Sequence, residues 1–127
     1  MIIDTSALLA IVFKEPEKFV FFHAISEAEP ALMAAPSFVE AMITVERRGG
    51  RVALLEQLVR ETGIVVRAFT AEHAVPGWQA FRQFGKGRHR LNFGDCMTYG
   101  FAKVEKLPLL FKGNDFARTD IQPALNS

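Results

Sequence analysis

Cysteine is almost missing. Cys96 stands alone in 127 residues, so no intrachain disulfide can close and no CxxC pair can hold zinc. That count fits a reducing, cytoplasmic setting. Tryptophan and tyrosine occur once each against twelve phenylalanines, which predicts a core built from Phe and aliphatics. No apolar run approaches the ~20 residues of a membrane-spanning helix. The stretch 7–13 is far too short, and Asp4 sits where a secretory leader carries basic residues. The chain therefore reads as soluble, with no membrane partner. Net charge is only +1, so bulk charge does not mark a nucleic-acid binder. One absence is local: from His73 to Gly94 there is no acidic residue, while Arg82, Lys86, Arg88, His89 and Arg90 fall there. Such a stretch is either a solvated loop or a surface that attracts phosphate.

Familiar catalytic motifs are scarce as well. His23, His73 and His89 form no HxxxH or HxH pair, which leaves a zinc site without support. Ser6 and Ser37 lack the G-x-S-x-G elbow of a hydrolase. No Walker lysine motif occurs, and "GKGRH" is not a phosphate fingerprint between a strand and a helix. Cys96 follows Asp95 on a helical stretch and reads as packed, not nucleophilic.

What is present is an alternation of short apolar runs with longer helical stretches, the pattern of an α/β domain. Residues 1–4, 31–35, 64–69 and 108–111 read as strands, with a short fifth at 119–121. They lack period-two alternation, as expected of a parallel sheet covered on both faces. The first helix is expected to start at Thr5 or Ser6, either of which can cap it. Pro16 suits the first turn of a second helix, whose Phe19, Phe22 and Ile25 recur at helical spacing. "PSFVEAMITVERRGG" reads as a third helix capped by Ser37, and "RVALLEQLVRETG" as a fourth with Leu54, Leu55, Leu58 and Val59 on one face. Thr70 caps a fifth, where Pro76-Gly77 predicts a kink or a start near Gly77. "FGDCMTYGFAKVEK" is the helix feeding the last long strand. No repeat or linker interrupts residues 1–127, which read as one domain.

Four acids fall where strands end and helices begin. Asp4 ends the first strand; Glu40 lies in the first turn after the second; Asp95 opens the helix before the fourth; Asp115 follows that strand in "GNDF". Ligands gather at the carboxyl edge of parallel sheets. Three of these acids have an ordinary structural use too: "SFVE" is a capping box, Asp95 stands three residues after Asn92, and Asp115 sits in a turn. A strand tip such as Asp4 has less need of an acid. Four carboxylates brought together repel unless protons or a cation neutralise them, and a hard, oxygen-seeking ion such as Mg²⁺ or Mn²⁺ suits them.

With "MIIDTSALLAI", "PSFVEA", "FGKGRHRLNFGDCMTYGFAK" and "LLFKGNDFARTDI" in order, essentially the whole chain resembles the PIN-domain ribonucleases, and within them the VapC-type toxins. The resemblance implies a PIN-like three-layer α/β/α sandwich with a mostly parallel sheet of four to five strands. It implies a metal-dependent endoribonuclease with Asp4, Glu40, Asp95 and Asp115 as catalytic acids. Asp4, Asp95 and Asp115 would hold one or two Mg²⁺ ions, with Mn²⁺ a substitute. Ser6, Asn92 and Asn114 would support them, and Asp120 is a nearby acid with an expected structural role. Lys86, Arg88, His89 and Arg90 would grip the RNA backbone. A VapB-type antitoxin is implied as partner, with Phe19, Phe22 and Ile25 walling its groove, and so is a homodimer. The proline inside the fifth helix departs from the family pattern. Two other readings stay open: a non-catalytic RNA-binding module on the same scaffold, and a phosphoacceptor receiver domain, which would want a second acid beside Asp4.

Overall fold

The computed structural model describes residues 1–88 and 90–125. Four short strands form one sheet: β1 (Ile2–Ile3), β2 (Leu32–Ala34), β3 (Val65–Arg67) and β4 (Leu109–Leu110). All pair parallel in the order β3-β2-β1-β4. β1 therefore lies inside the sheet, and Asp4 projects from the carboxyl end of an interior strand.

Side chains alternate across the pleat. Ile3, Met33 and Leu110 pack with Leu8, Phe21, Ile25, Val45, Leu55 and Leu58 from the helices α1 (Thr5–Val12), α2 (Lys18–Glu27), α3 (Ala35–Arg47) and α4 (Val52–Thr62). Ile2, Leu32 and Leu109 face the other way, onto Ala80, Cys96, Tyr99 and Phe101 from α5 (Ala71–Phe84) and α6 (Phe93–Glu105). Two helical layers thus enclose a parallel sheet, the three-layer sandwich that the apolar strand runs require.

Several local expectations give way to tertiary detail. The segment 119–121 forms no strand; Thr119 Oγ1 accepts from the Ile121 N–H in a local turn. The chain meets β4 slightly later, where Leu109 donates to the Gln122 carbonyl and Ala124 donates back to Leu109. Pro123, at the only bridge there among the described residues, has no N–H with which to extend a ladder. Helix α1 is capped by Asp4, not by Thr5 or Ser6: its carboxylate accepts from the Ser6 N–H. Pro16 lies in the turn before α2 and outside its first turn. Helix α3 starts straight off β2 at Ala35, so Ser37 is already inside it and is not its cap. On α4, Leu54 is exposed while Leu55 and Leu58 are buried.

Pro76 does not begin or end a helix. α5 runs continuously from Ala71 to Phe84 through it. The reason lies in packing against α6: a Cβ on Gly77 would come 2.9 Å from the Cys96 carbonyl oxygen, and one on Gly100 would overlap that of His73. Two glycines let the helix backbones touch, and that contact outweighs the one hydrogen bond a proline removes. None of the described helices is long and apolar enough to cross a membrane.

Candidate active site

The site starts from the buried Asp4, whose two oxygens are both engaged. Oδ2 accepts from Ser6 Oγ at 2.6 Å and from the Ser6 N–H at 3.1 Å. Oδ1 accepts from Thr98 Oγ1 at 3.1 Å. Thr98 spends its single proton on Asp4, so at 3.1 Å it accepts from Ser37 Oγ. Ser6 Oγ in turn accepts from the Lys112 N–H at 2.9 Å. Hydroxyls from α1, α3 and α6 thereby fix one carboxylate, and the segment after β4 is tied to it. Thr5 adds a further link, donating to the Ser37 carbonyl at 2.8 Å.

Asp95 occupies the first turn of α6. Its Oδ2 accepts from the Asn92 N–H at 3.0 Å, and Asn92 Oδ1 accepts from the Asp95 N–H at 2.8 Å. This reciprocal box aims the acid by pinning one oxygen, the other having no partner among the described residues. The Asp95 carboxyl is pushed up to about 7, first by burial and further by the charges of Asp4, Asp115 and Glu40, against the Asn92 bond that favours its anion. Burial also raises Asp4, opposed by its Ser6 and Thr98 donors. Glu40 is exposed, with its carboxylate over Gly94, where any Cβ would strike Oε2. Asp115 is exposed on the turn after β4.

The charges of Asp4, Glu40 and Asp115 thus all bear on Asp95. Asp120 does not join them. Lys103 Nζ lies 2.8 Å from its Oδ2 and the Tyr99 hydroxyl donates to its Oδ1. Of the three supporting residues expected, Ser6 alone among the described hydrogen bonds donates its side chain to an acid. Asn92 spends its carboxamide on the helix cap, and the Asn114 carbonyl accepts from Ala117 within the turn. Thr98, Thr5 and Ser37 were missed in this role. Thr98 had a signal: it lies three residues after Asp95, hence on the same helical face. Lys86, Arg88 and Arg90 are exposed on the loop from α5 to α6; His89 lies outside the described residues. Ile25 is fully buried, so of the apolar stripe on α2 only Phe19, Val20 and Phe22 reach the surface.

The PIN domain profile matches residues 1–122. Ribonuclease VapC36 of Mycobacterium tuberculosis is 46% identical over 127 residues, covering 96% of this chain and 91% of its own. The chain belongs to the PIN-domain family, in its VapC ribonuclease branch. Among solved structures, this PIN domain resembles the sarcin-ricin loop cleaving toxin VapC20 of M. tuberculosis, with a TM-score of 0.76 at 13% identity. That match covers 94% of this chain and 95% of the other. A toxin-antitoxin complex from Klebsiella pneumoniae matches with a TM-score of 0.69 at 16% identity, covering 94% and 92%. At such identities these two structures attest the fold.

A PIN-domain ribonuclease implies a divalent metal ion, and the residues present can be tested for it. Among the described residues, no three His, Cys, Asp or Glu side chains stand close enough to form a ready-made cage. Mg²⁺ characteristically takes one or two carboxylates and keeps its waters, so it does not need such a cage. The donors are hard oxygens, and among the described ion pairs none supplies a Lys or Arg to Asp4, Glu40, Asp95 or Asp115. Burial, with the neighbouring acids adding to it, raises Asp95 to about 7, and a small dication held there would favour its ionised form. The VapC-branch site fits the ion.

Proposed function

We propose that the chain is a Mg²⁺-dependent endoribonuclease, with Mn²⁺ an acceptable substitute, acting in the cytoplasm as the toxin of a VapBC-type pair. Asp4, Asp95 and Asp115 would hold the ion. The ion supplies Lewis-acid polarisation of the scissile phosphate and a water of lowered pKa. Ser6 and Thr98 orient Asp4 toward it. Glu40, exposed beside Gly94, aligns the attacking water or takes its proton. Lys86, Arg88 and Arg90 hold flanking phosphates and fix the position of the strand without reading it. Attack by water leaves a 5′-phosphate and a 3′-hydroxyl.

The observation that carries this reading is the pairing of Asp4, gripped by Ser6 and by Thr98 of α6, with Asp95 one turn before Thr98 on the same helix, in a chain of the VapC branch. A VapB-type antitoxin would seat an apolar segment against the exposed Val20 of α2. Val20 lines a cavity of about 850 Å³ with Phe111, Gly113 and Asn114, so the segment would end near Asp115. A homodimer belongs to the same reading.

Incubating the pure protein with RNA in Mg²⁺, in Mn²⁺ and in chelator, then sequencing the cut ends, tests it. Cleavage should need the ion and leave 5′-phosphates. Equal cleavage in chelator, or 2′,3′-cyclic phosphate ends, would overturn the proposal.

A further inference from the structure

Asp4 and Asp95 are each aimed by donors that grip their carboxylates. Asp115 is not. It is exposed on the turn after β4, and no hydrogen bond among the described residues engages its side chain. Its charge nevertheless bears on Asp95, so the turn itself has to be held in place. Gly113, two residues earlier, has a φ of 99°, a left-handed conformation that lets the chain reverse there. Beyond Asp115 the turn is anchored by Phe116, which is buried and packs edge-on against Phe111 with ring centres 5.4 Å apart. Before Asp115 stands Lys112.

Lys112 is engaged at both ends. Its backbone N–H donates to Ser6 Oγ at 2.9 Å, and Ser6 Oγ donates to Asp4 at 2.6 Å. Its ammonium donates to Glu15 Oε2 at 2.7 Å and stands 2.9 Å from Glu17 Oε2. Both acids sit at helix ends that are themselves fixed. At the close of α1, Lys14 takes a left-handed φ of 54° and its N–H reaches the Ile11 carbonyl, while the Glu15 N–H reaches that of Ala10 at 2.8 Å. This pair of bonds is a Schellman closure, and it sets where Glu15 emerges. Glu17 is the cap residue of α2. Its Oε2 is buried with no hydrogen bond among the described residues, so the Lys112 charge is what compensates it. Lys112 thus grips α1 at Ser6 in its first turn and at Glu15 beyond its last, and the start of α2 as well.

We propose that Lys112 is a positioning residue for the metal site: it locks the turn carrying Asp115 onto α1, the helix that Asp4 caps, and so keeps Asp115 beside Asp4 and Asp95 for the ion. The inference rests on the metal-dependent reading of the site. A lysine three residues before Asp115 has a second reading, as a counter-charge to the acids. The geometry speaks against it, because the ammonium is taken by Glu15 and Glu17, and neither Asp4 nor Asp115 is among its described ion pairs. The two roles differ in the sign of their effect. A nearby positive charge repels a dication, so deleting it tightens binding of the ion. Deleting a clamp loosens it.

Mn²⁺ is titrated calorimetrically into the wild-type protein and Lys112→Met, with no RNA present. Affinity in Lys112→Met should fall about tenfold, the lower end of what a residue supporting a metal ligand supplies. Lys112→Arg, which keeps the charge, should recover most of it. The melting temperature of Lys112→Met in chelator should fall too, since the Glu17 oxygen is left buried without its cation. Lys112→Gln, whose amide can still donate to that oxygen, is titrated if Lys112→Met does not fold, and the same loss of affinity is expected. A cycle with Asp115→Asn separates positioning from general loosening. Once that acid is gone its clamp has nothing to position, so Lys112→Met should then weaken Mn²⁺ by about twofold or less. Affinity equal to or above wild type in the Lys112 variant overturns the inference, as does a tenfold loss repeated in the Asp115→Asn background. The two readings fail separately. A Lys112 variant that binds like wild type removes the clamp alone, whereas wild-type protein that takes up no Mn²⁺ removes the metal reading and the clamp's purpose with it.

Discussion

Helix α6 handles acids in opposite ways at its two ends. In its first turn Asp95 is half-buried among Asp4, Glu40 and Asp115, and its carboxyl is pushed up to about 7. Four and eight residues further on, Tyr99 and Lys103 clasp Asp120, and the Lys103 bond foremost holds that carboxyl below its ordinary range. The second arrangement is how a fold disposes of an acid it has no other use for: expose it, give it a cation and a hydroxyl. Among the described ion pairs, the first leaves several acids without a cation of the chain's own, at a cost in repulsion and desolvation. A protein that solves the problem two turns away has the means to solve it at Asp95 and does not. In the proposed reading, that uncompensated charge is what a cation would neutralise.

The largest effect expected from breaking that contrast is Asp95→Asn. The amide oxygen still accepts from the Asn92 N–H, so the cap survives, while the charge is gone. RNA cleavage should fall well beyond the roughly 10- to 100-fold typical of a residue that merely supports a metal ligand. The melting temperature in chelator should hold or rise. Cleavage gels beside a thermal melt check both halves; a fall in both together would assign Asp95 a structural task instead.

Next in size is Thr98→Val, which preserves shape and deletes the hydroxyl that donates to Asp4 Oδ1. Divalent-ion affinity, read by calorimetric Mn²⁺ titration, should drop about 10- to 100-fold. Stability should fall by about 1–3 kcal/mol, because the buried Ser37 hydroxyl loses its acceptor. Thr98→Ser should restore most of the affinity. A variant that loses stability and keeps its Mn²⁺ affinity would reduce Thr98 to packing.

The four strands and six helices were legible because hydrophobic period is local and each element carries its own. So were the positions of Asp4, Asp95 and Asp115, since strand ends and helix starts can be located from that period, whereas Glu40 lies in the second turn of α3 and not the first, because that helix starts at Ala35. Asp4 was nevertheless misjudged: a strand tip has less evident need of an acid, yet its carboxylate caps α1. Thr98 was invisible for a different reason, as its partner stands 94 residues away and only the crossing of α6 beneath β1 brings them together. Pro76 misled because a break in one helix's hydrogen bonds is a local cost, while the Gly77–Gly100 contact that offsets it belongs to two helices. The fifth strand failed on a register of two to three residues, set by where Pro123 meets Leu109. What the chain concealed was each interaction whose meaning depends on a distant segment.

A smaller effect separates the two ends of α6 by pH. Asp95 has a folded-state value near 7 against an ordinary 3.8, so the native protein binds this proton more tightly than the unfolded chain. Linkage then requires the stability it contributes to decline as pH rises from about 4 to about 7. Asp4, raised by burial, acts in the same direction. Asp120 is lowered, so its share is present above pH 4 and is lost as pH falls through its folded value. Urea melts in chelator from pH 5 to pH 8 should show the decline, and Asp95→Asn should flatten it. Adding Mn²⁺ should flatten it too, since the cation favours the ionised form. A slope unaltered by either would mean that burial and the neighbouring acids do not raise Asp95.

The smallest effect is Asp120→Asn, and its smallness is the point. Asp120 and Lys103 are about half exposed, where such a pair is worth about 0–1 kcal/mol. The amide can still accept from Tyr99, so stability should change by less than about 1 kcal/mol, with cleavage and Mn²⁺ affinity at wild-type levels. Asp115→Asn, on the neighbouring turn, should lower both. If the outcomes were exchanged, with Asp120 needed and Asp115 dispensable, the fourth acid would have been misassigned. The cation-paired end of the helix would then be the reactive one, with Lys103 released from Asp120 when RNA arrives.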